Sequence, residues 1–327
     1  MSVQRASFTL SGNIHFIMEP PKRNFGINME KTKIVEVIEF TDPSCPWCYG
    51  TEPLLRKLET RFRDQIALSF IMGGLVEDVR NLSEAFDDPT KDVVESNRAV
   101  ARHWLHTSKE HGMPVNTAAF SLFSYEYPSS YTQGIAFKAV QFQSDSFANE
   151  FLRRVRVATA LEGLQTTRED VLAELASESG ANMVEFFDRI ISGDAKKAFE
   201  SDLTLIDKYH IETLPSWLIR YDGKEVVLHG ITTFDALKEA IIGISDGSVK
   251  DLLVPKTKDA ILDFIFTNIH VAPIEVKTAF ELTDEEYNKM IKILKNDDMI
   301  EEIKMGNGSL LRFSQLIGTC TDECCCS

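Results

Sequence analysis

Residues 41–50 read TDPSCPWCYG and place two cysteines, Cys45 and Cys48, around Pro46 and Trp47. A pair at this spacing holds a zinc ion, staples a loop or runs thiol–disulfide exchange. The flanking sequence decides among the three. Residues 33–40 (KIVEVIEF) are rich in Val and Ile, as a buried strand is. Residues 52–62 (EPLLRKLETRF) then carry helical spacing through Leu54, Leu55, Leu58 and Phe62. Residues 65–75 (QIALSFIMGGL) read as a second strand ending at Gly73-Gly74. The order is strand, CxxC, helix, strand: a βαβ unit with the cysteines at a helix N-terminus.

That location is chemically consequential. Unpaired backbone N–H groups and the positive end of the helix dipole favour a thiolate at Cys45. Cys48, one turn on, is spaced to form a disulfide with it and to resolve a mixed disulfide. Cys45 is therefore the expected attacking thiol and Cys48 the more buried one. Glu39 precedes Cys45 by six residues, at the end of the first strand. A carboxyl beneath the pair accepts the Cys48 proton as a general base; a solvated strand-end carboxylate is the alternative, and its neighbours Ile38 and Phe40 favour the buried one. Pro215, in ETLPSW, sits at the entry to the next strand. It is either an ordinary strand-entry proline or, as in redox folds, a cis-proline facing the CxxC, with the preceding backbone pairing with a substrate chain.

Zinc would need four ligands, usually from a second CxxC or a His pair. His103 and His106 are three apart on an expected helix, and the folded body carries no second cysteine knuckle. The pair reads as redox.

The bulk properties are those of an ordinary soluble globular protein: 327 residues, 43% hydrophobic and 26% charged. A net charge of −15 repels phosphate backbones and acidic membranes, so neither nucleic acid nor a membrane is an expected partner. No apolar run of about 18 residues occurs, and residues 1–32 lack a secretory h-region. They are expected to form a weakly ordered lead-in, with a second candidate start at Met29, and the location expected is cytoplasmic. Of six cysteines, none lies between Cys48 and Cys320, which is not the spread of an exported disulfide framework.

Helical periodicity dominates from about 78 to 208, broken by Gly112, Gly180 and the Thr167–Asp170 stretch. Strand signal returns at SWLIRYDG (216–223) and EVVLHGI (225–231), a hairpin turning at Asp222-Gly223, with a closing helix after it. Residues 252–258 (LLVPKTK) look like a linker. Three helical segments, one opening on a capping box of Thr283 and Glu286, and two strands about a glycine turn then suggest a winged-helix-like module over 257–315. Its third helix carries more acid than base, so it reads as a dimerisation or docking element, including homodimer formation, and not as a DNA reader.

With these motifs in order, the chain resembles the DsbA-like branch of the thioredoxin superfamily, and within it the cytoplasmic FrnE-like and SpxH-like members. EFTDPSCPWCYG, FIMGGL, HGMPV, YPSSYTQGIAFKAVQFQ, EFLRRVRVATALEG, ASESG and TLPSW carry the resemblance over roughly 33–245. It implies a thioredoxin fold with a large helical insertion (domain 33–250, insert about 78–208) and exchange through the first cysteine. Cys45, Cys48 and Glu39 fall on its catalytic positions. Pro46, Trp47, Thr213, Leu214 and Pro215 fall on substrate-facing ones, with Leu214 where relatives often carry Val, Ile or Thr. No cofactor is implied beyond glutathione as a redox partner.

The last residues, 316–327, form a cysteine-rich tail with Cys320, Cys324, Cys325 and Cys326 and no apolar pattern to pack. A mobile thiol tail either relays electrons to an active site or captures a soft metal or metalloid; as a prenylation box it is degenerate. The function expected is a thiol–disulfide oxidoreductase or isomerase acting on protein or small-molecule thiols. Two other readings stand beside it: a redox-sensitive adapter delivering a client to a protease, and a glutathione-dependent isomerase or transferase, a group that generally has Ser at the Cys45 position.

Overall fold

Strand β1 (Val35–Thr41) lies inside a four-stranded sheet of order β2-β1-β3-β4, with β2 at Ile66–Met72, β3 at Ser216–Tyr221 and β4 at Lys224–Leu228. It runs parallel to β2 and antiparallel to β3, and β3 and β4 form the expected hairpin. Covered on both faces, β1 is buried at every position but Glu36. Strand alternation sends Ile38 and Phe40 to a small cluster with Ile71, Ile211 and Leu218. Val35 and Val37 enter the main core with Trp217 and Ile219. Glu39 and Thr41 share the parity of Val35 and Val37, so this sheet face carries a carboxyl and a hydroxyl into the interior, where both are buried.

The computed structural model describes residues 34–83, 92–118 and 120–314. The expected lead-in and the cysteine-rich tail, with Cys320, Cys324, Cys325 and Cys326, lie outside the described residues.

The helix expected after β1 is divided into α1 (Pro46–Tyr49) and α2 (Glu52–Phe62). Pro53 explains the break: it has no N–H to donate to the Tyr49 carbonyl, so an uninterrupted helix would lose a bond there. The insert comprises α3 (Val93–His111), α4 (Tyr131–Gln141), α5 (Asp145–Val157), α6 (Glu169–Glu178), α7 (Met183–Ile191) and α8 (Asp194–Lys208). Asp92 caps α3 by accepting from the Val94 N–H, and Gly112 ends it at φ 76°, the left-handed geometry its sequence position suggests. The main core joins α2, the insert helices α4 to α8 and the closing α9 (Phe234–Ile244) to the sheet through residues such as Leu58, Phe137, Phe151, Phe199 and Leu237.

The C-terminal module is α10 (Lys258–Thr267), β5 (His270–Val271), α11 (Pro273–Phe280), α12 (Asp284–Asn296), β6 (Ile300–Met305) and β7 (Gly308–Phe313). Its sheet has the order β5-β7-β6, and its own core holds Ile261, Ile265, Val276, Leu294 and Leu311. The capping box is formed: Glu286 N–H donates to Thr283 Oγ1 at 3.2 Å and Thr283 N–H to Glu286 Oε2 at 2.8 Å. Two-residue β5 has no sequence signature and was not expected.

The segment before α10 is fastened along the end of α2. Arg61 donates twice to Asp251, at 2.5 and 2.6 Å, and Leu252 N–H donates to Arg61 O at 2.9 Å. The wing turn between β6 and β7 abuts the chain after α3. Gly306 has φ +54°, and a Cβ there would sit 2.2 Å from Val115 O, so this approach admits glycine alone. Beside it, Asn307 accepts from Val115 N–H at 2.7 Å and donates to Ser108 Oγ at 2.7 Å.

Candidate active site

Cys45 is the N-cap of α1, in extended conformation (φ −85°, ψ 116°), and its sulfur accepts the Cys48 N–H at 3.4 Å. The thiol also lies 3.8 Å from Leu214 O, to which it donates. The Leu214–Pro215 bond is cis. Both sulfurs are free, with Cys45 4% exposed and Cys48 fully buried. Cys48 is the more deeply buried of the two, and Cys45 is itself almost covered, which the sequence did not reveal.

Asp42 holds this loop. It accepts from Ser44 N–H (2.9 Å), Leu75 N–H (2.8 Å) and Ser130 Oγ (3.2 Å), and from the Ser44 hydroxyl. One buried carboxyl thus ties the CxxC loop to the turn after β2 and the start of α4. Burial raises its pKa, against the hydrogen bonds it accepts.

The expected carboxyl beneath the pair is present. Glu39 is 1% exposed, and burial lifts its pKa from 4.5 to about 7, with the Arg156 charge and the Thr51 hydrogen bond opposing. Thr51 Oγ1 lies 2.8 Å from Glu39 Oε1 and 2.7 Å from Cys48 O. A hydroxyl owns one hydrogen and a carbonyl only accepts. Both contacts are therefore satisfied together only when Glu39 is protonated and donates to Thr51. On ionisation the Thr51 proton must turn to the carboxylate. The Cys48 thiol is pushed well above its ordinary value, first by burial, then by the contact and charge of Cys45 and the charge of Glu39, with Arg156 pulling the other way.

Arg156, from α5, is the counter-charge. It is completely buried, donates to Glu52 Oε1 at 2.7 Å and to Thr41 Oγ1 at 2.5 Å, and stands 3.6 Å from Glu39 Oε2. The sequence reading missed it. The signal available was RRVRV within an amphipathic helix: Arg153 and Arg156 occupy inward positions alongside Phe151, Leu152 and Val155. Inward arginines imply buried carboxylate partners. His111 was also missed. Its ring meets those of Trp47 and Tyr49 edge-on, with centroids 6.3 and 6.1 Å away, and Nδ1 accepts the Met113 N–H at 3.1 Å. Burial lowers its pKa to about 4, so it is neutral at physiological pH.

Cys45 opens into a cavity of about 490 Å³. Pro46, Trp47, Thr213 and Leu214 line it as expected from the sequence, with Val76, Val100, Phe123 and Ile206 adding an apolar wall. Gly73 is also part of that wall, and a Cβ there would stand 2.5 Å from Leu214 Cδ1. Pro215 is buried behind Leu214 and is not among the lining residues.

A family profile described as Thioredoxin matches residues 39–239. Among curated proteins the chain is similar to the ClpXP adapter protein SpxH of Halalkalibacterium halodurans, 26% identical over 290 residues covering 87% of this chain and 90% of the relative. It is also similar to the ClpXP adapter protein SpxH of Bacillus subtilis, at 23% over 294 residues, 89% of this chain and 92% of the relative. Among solved structures, a candidate protein disulfide isomerase from Nitrosomonas europaea superposes with a TM-score of 0.55 at 15% identity, over 66% of this chain and 99% of that one. A candidate DsbA oxidoreductase from Streptomyces coelicolor gives 0.50 at 14%, over 67% and 94%. The matched profile spans more than half of the chain, which therefore belongs to the thioredoxin family and shares its fold with these structural neighbours.

Proposed function

We propose that the protein is a thiol–disulfide oxidoreductase acting through Cys45 and Cys48. The observation that carries this is the single constellation of Cys45 Sγ at a helix N-cap, 3.8 Å from Leu214 O on the proline loop, over a buried carboxyl with a pKa of about 7. In the reducing direction, the Cys45 thiolate attacks a substrate disulfide. A Cys45–substrate disulfide forms, the substrate S–S bond breaks, and the first substrate thiolate leaves and takes a proton. Cys48 then loses its proton to Glu39 and attacks Cys45 sulfur. The Cys45–Cys48 bond forms, the second substrate thiolate departs, and two electrons have passed to the substrate. Oxidation is the reverse, with Glu39 returning the proton.

A carboxyl of pKa about 7 suits both directions, because it is populated in both protonation states near neutral pH. Substrate backbone would pair at Leu214, and the apolar cavity would take the residue beside the reacting cysteine; glutathione is the candidate small-molecule redox partner. The proposal keeps the cytoplasmic placement expected from the sequence; among the described residues no helix is long and apolar enough to cross a membrane. The test is trapping. Cys48→Ser should accumulate mixed disulfides through Cys45, and Cys45→Ser should lose all exchange. Full exchange by Cys45→Ser would overturn the mechanism.

A second reading is favoured by the relatives, which are named as protease adapters and align over nearly nine-tenths of the chain, beyond the thioredoxin-matched part. On it, the fold is a docking surface for a protein client and the thiols are a redox sensor. Client binding that survives Cys45→Ser would support that reading; binding lost with the thiol would favour the enzyme.

A further inference from the structure

The charges beneath the cysteines do not end at Arg156. Glu52, which accepts from Arg156 at 2.7 Å, is also paired with Arg153 at 3.1 Å. Arg153 in turn donates to Glu275 Oε2 at 2.8 Å, and Arg56 stands 3.7 Å from Glu275 Oε1. Glu275 belongs to α11, in the C-terminal module, and is fully buried; its Oε2 also accepts the Ala272 N–H at 2.6 Å, closing the start of that helix. An alternating chain, Glu39, Arg156, Glu52, Arg153, Glu275, therefore runs from under the active-site thiols into the module, with every member at most 9% exposed.

A second connection reaches the same place. Asn307 on the wing turn holds Val115 and Ser108, and the neighbouring Pro114 O accepts the Tyr49 hydroxyl at 3.1 Å. Tyr49 follows Cys48 directly, and its phenol feels Arg153, Glu275, Glu52 and Arg156.

We infer that Glu275 and Arg153 are positioning residues for the thiol chemistry, and that the C-terminal module is electrostatically part of the active site, setting how readily Glu39 and Cys48 release their protons. Neither residue touches a sulfur; both act through Glu52 and Arg156. Buried charges are poorly screened, so the effect of one charge persists along the chain. Besides this chain, the groups facing the site are Cys45, the N-cap of α1, and Thr51, the N-cap of α2; those facing Glu275 are Arg56 and Tyr49. Arg56 also pairs with Glu59, and its charge acts on Glu150; His270 O accepts from Arg153 at 3.2 Å. Any partner that loosens α11 from α2 would disconnect the last anion, so docking at the module and reactivity at the thiols become linked.

The inference rests on the redox reading of the thiols, but its test does not require turnover. In the full chain carrying Cys45→Ser, Cys48 alkylation by iodoacetamide is followed against pH by mass spectrometry. Glu275→Gln removes an anion, which raises the local potential and favours both carboxylate and thiolate. The alkylation midpoint should fall by on the order of half a pH unit, about threefold in thiolate at fixed pH. Arg153→Met should move it the opposite way by a similar amount, and Arg153→Lys should leave it in place. Opposite signs with rescue by lysine are not what lost packing produces. Midpoints that stay put in folded variants, or that move together, overturn the inference. If Glu275→Gln does not fold, the Met and Lys variants at 153 carry the comparison. An inert wild-type pair in glutathione with shifted midpoints here would overturn the redox reading alone.

Discussion

Replacing Glu39 by Gln should make the protein more stable, and increasingly so as pH rises. The unfolded carboxyl ionises at 4.5 and the folded one at about 7. Between those values the folded state holds the proton more tightly, so rising pH favours the unfolded chain. The stability is fully present below 4.5 and is lost as pH rises through about 7. At about 1.4 kcal/mol per pH unit, the full cost of burying the charge is about 3 kcal/mol. Gln keeps the shape and a donor for Thr51 without the charge. Urea unfolding of the reduced, intact chain should therefore find Glu39→Gln more stable than wild type by about 3 kcal/mol at pH 8.5, shrinking to about 1 kcal/mol at pH 5. A variant less stable than wild type at pH 8.5, or an equal difference at both pH values, would refute the assignment of Glu39 as a buried carboxyl held for chemistry.

Arg156→Met leaves Glu39 and Glu52 facing each other without their shared cation, and should cost about 3–5 kcal/mol in urea unfolding at pH 8. The loss should shrink when Glu39→Gln is present, because one stranded carboxylate is gone. Gly306→Ala drives a methyl toward Val115 O at a positive φ; a cost of about 1–3 kcal/mol, with faster amide exchange at Asn307, is expected. Tyr49→Phe removes the hydrogen bond to Pro114 O and should cost about 1 kcal/mol, read as a lower melting temperature.

The parts of the fold that are legible in the sequence are those governed by local chemistry. The Val- and Ile-rich run of β1, the glycine ending α3, the Asp222-Gly223 turn and the Thr283 capping box each declare themselves within a few residues. Glu39 was also legible, because two-residue alternation puts it on the face of Val35 and Val37 once β1 is known to be covered. What escaped is long-range. Arg156 meets Glu39 and Glu52 only after α5 packs across the sheet, and an arginine in an amphipathic helix ordinarily reads as solvated. The wing turn against Val115 and the reach of Glu275 to Arg153 likewise depend on how two distant segments dock. The break between α1 and α2 was available locally, in Pro53, and was read through.

The oxidoreductase mechanism requires that Cys45 and Cys48 form a reversible redox couple. Equilibrating the full-length protein in graded glutathione buffers, with thiols alkylated and the 45–48 peptide weighed, tests it directly. A reversible two-electron transition with a defined potential is expected, about −120 to −200 mV for an oxidant or isomerase and about −270 mV for a reductant. A pair that fails to exchange with glutathione over hours would contradict it and leave the adapter reading standing.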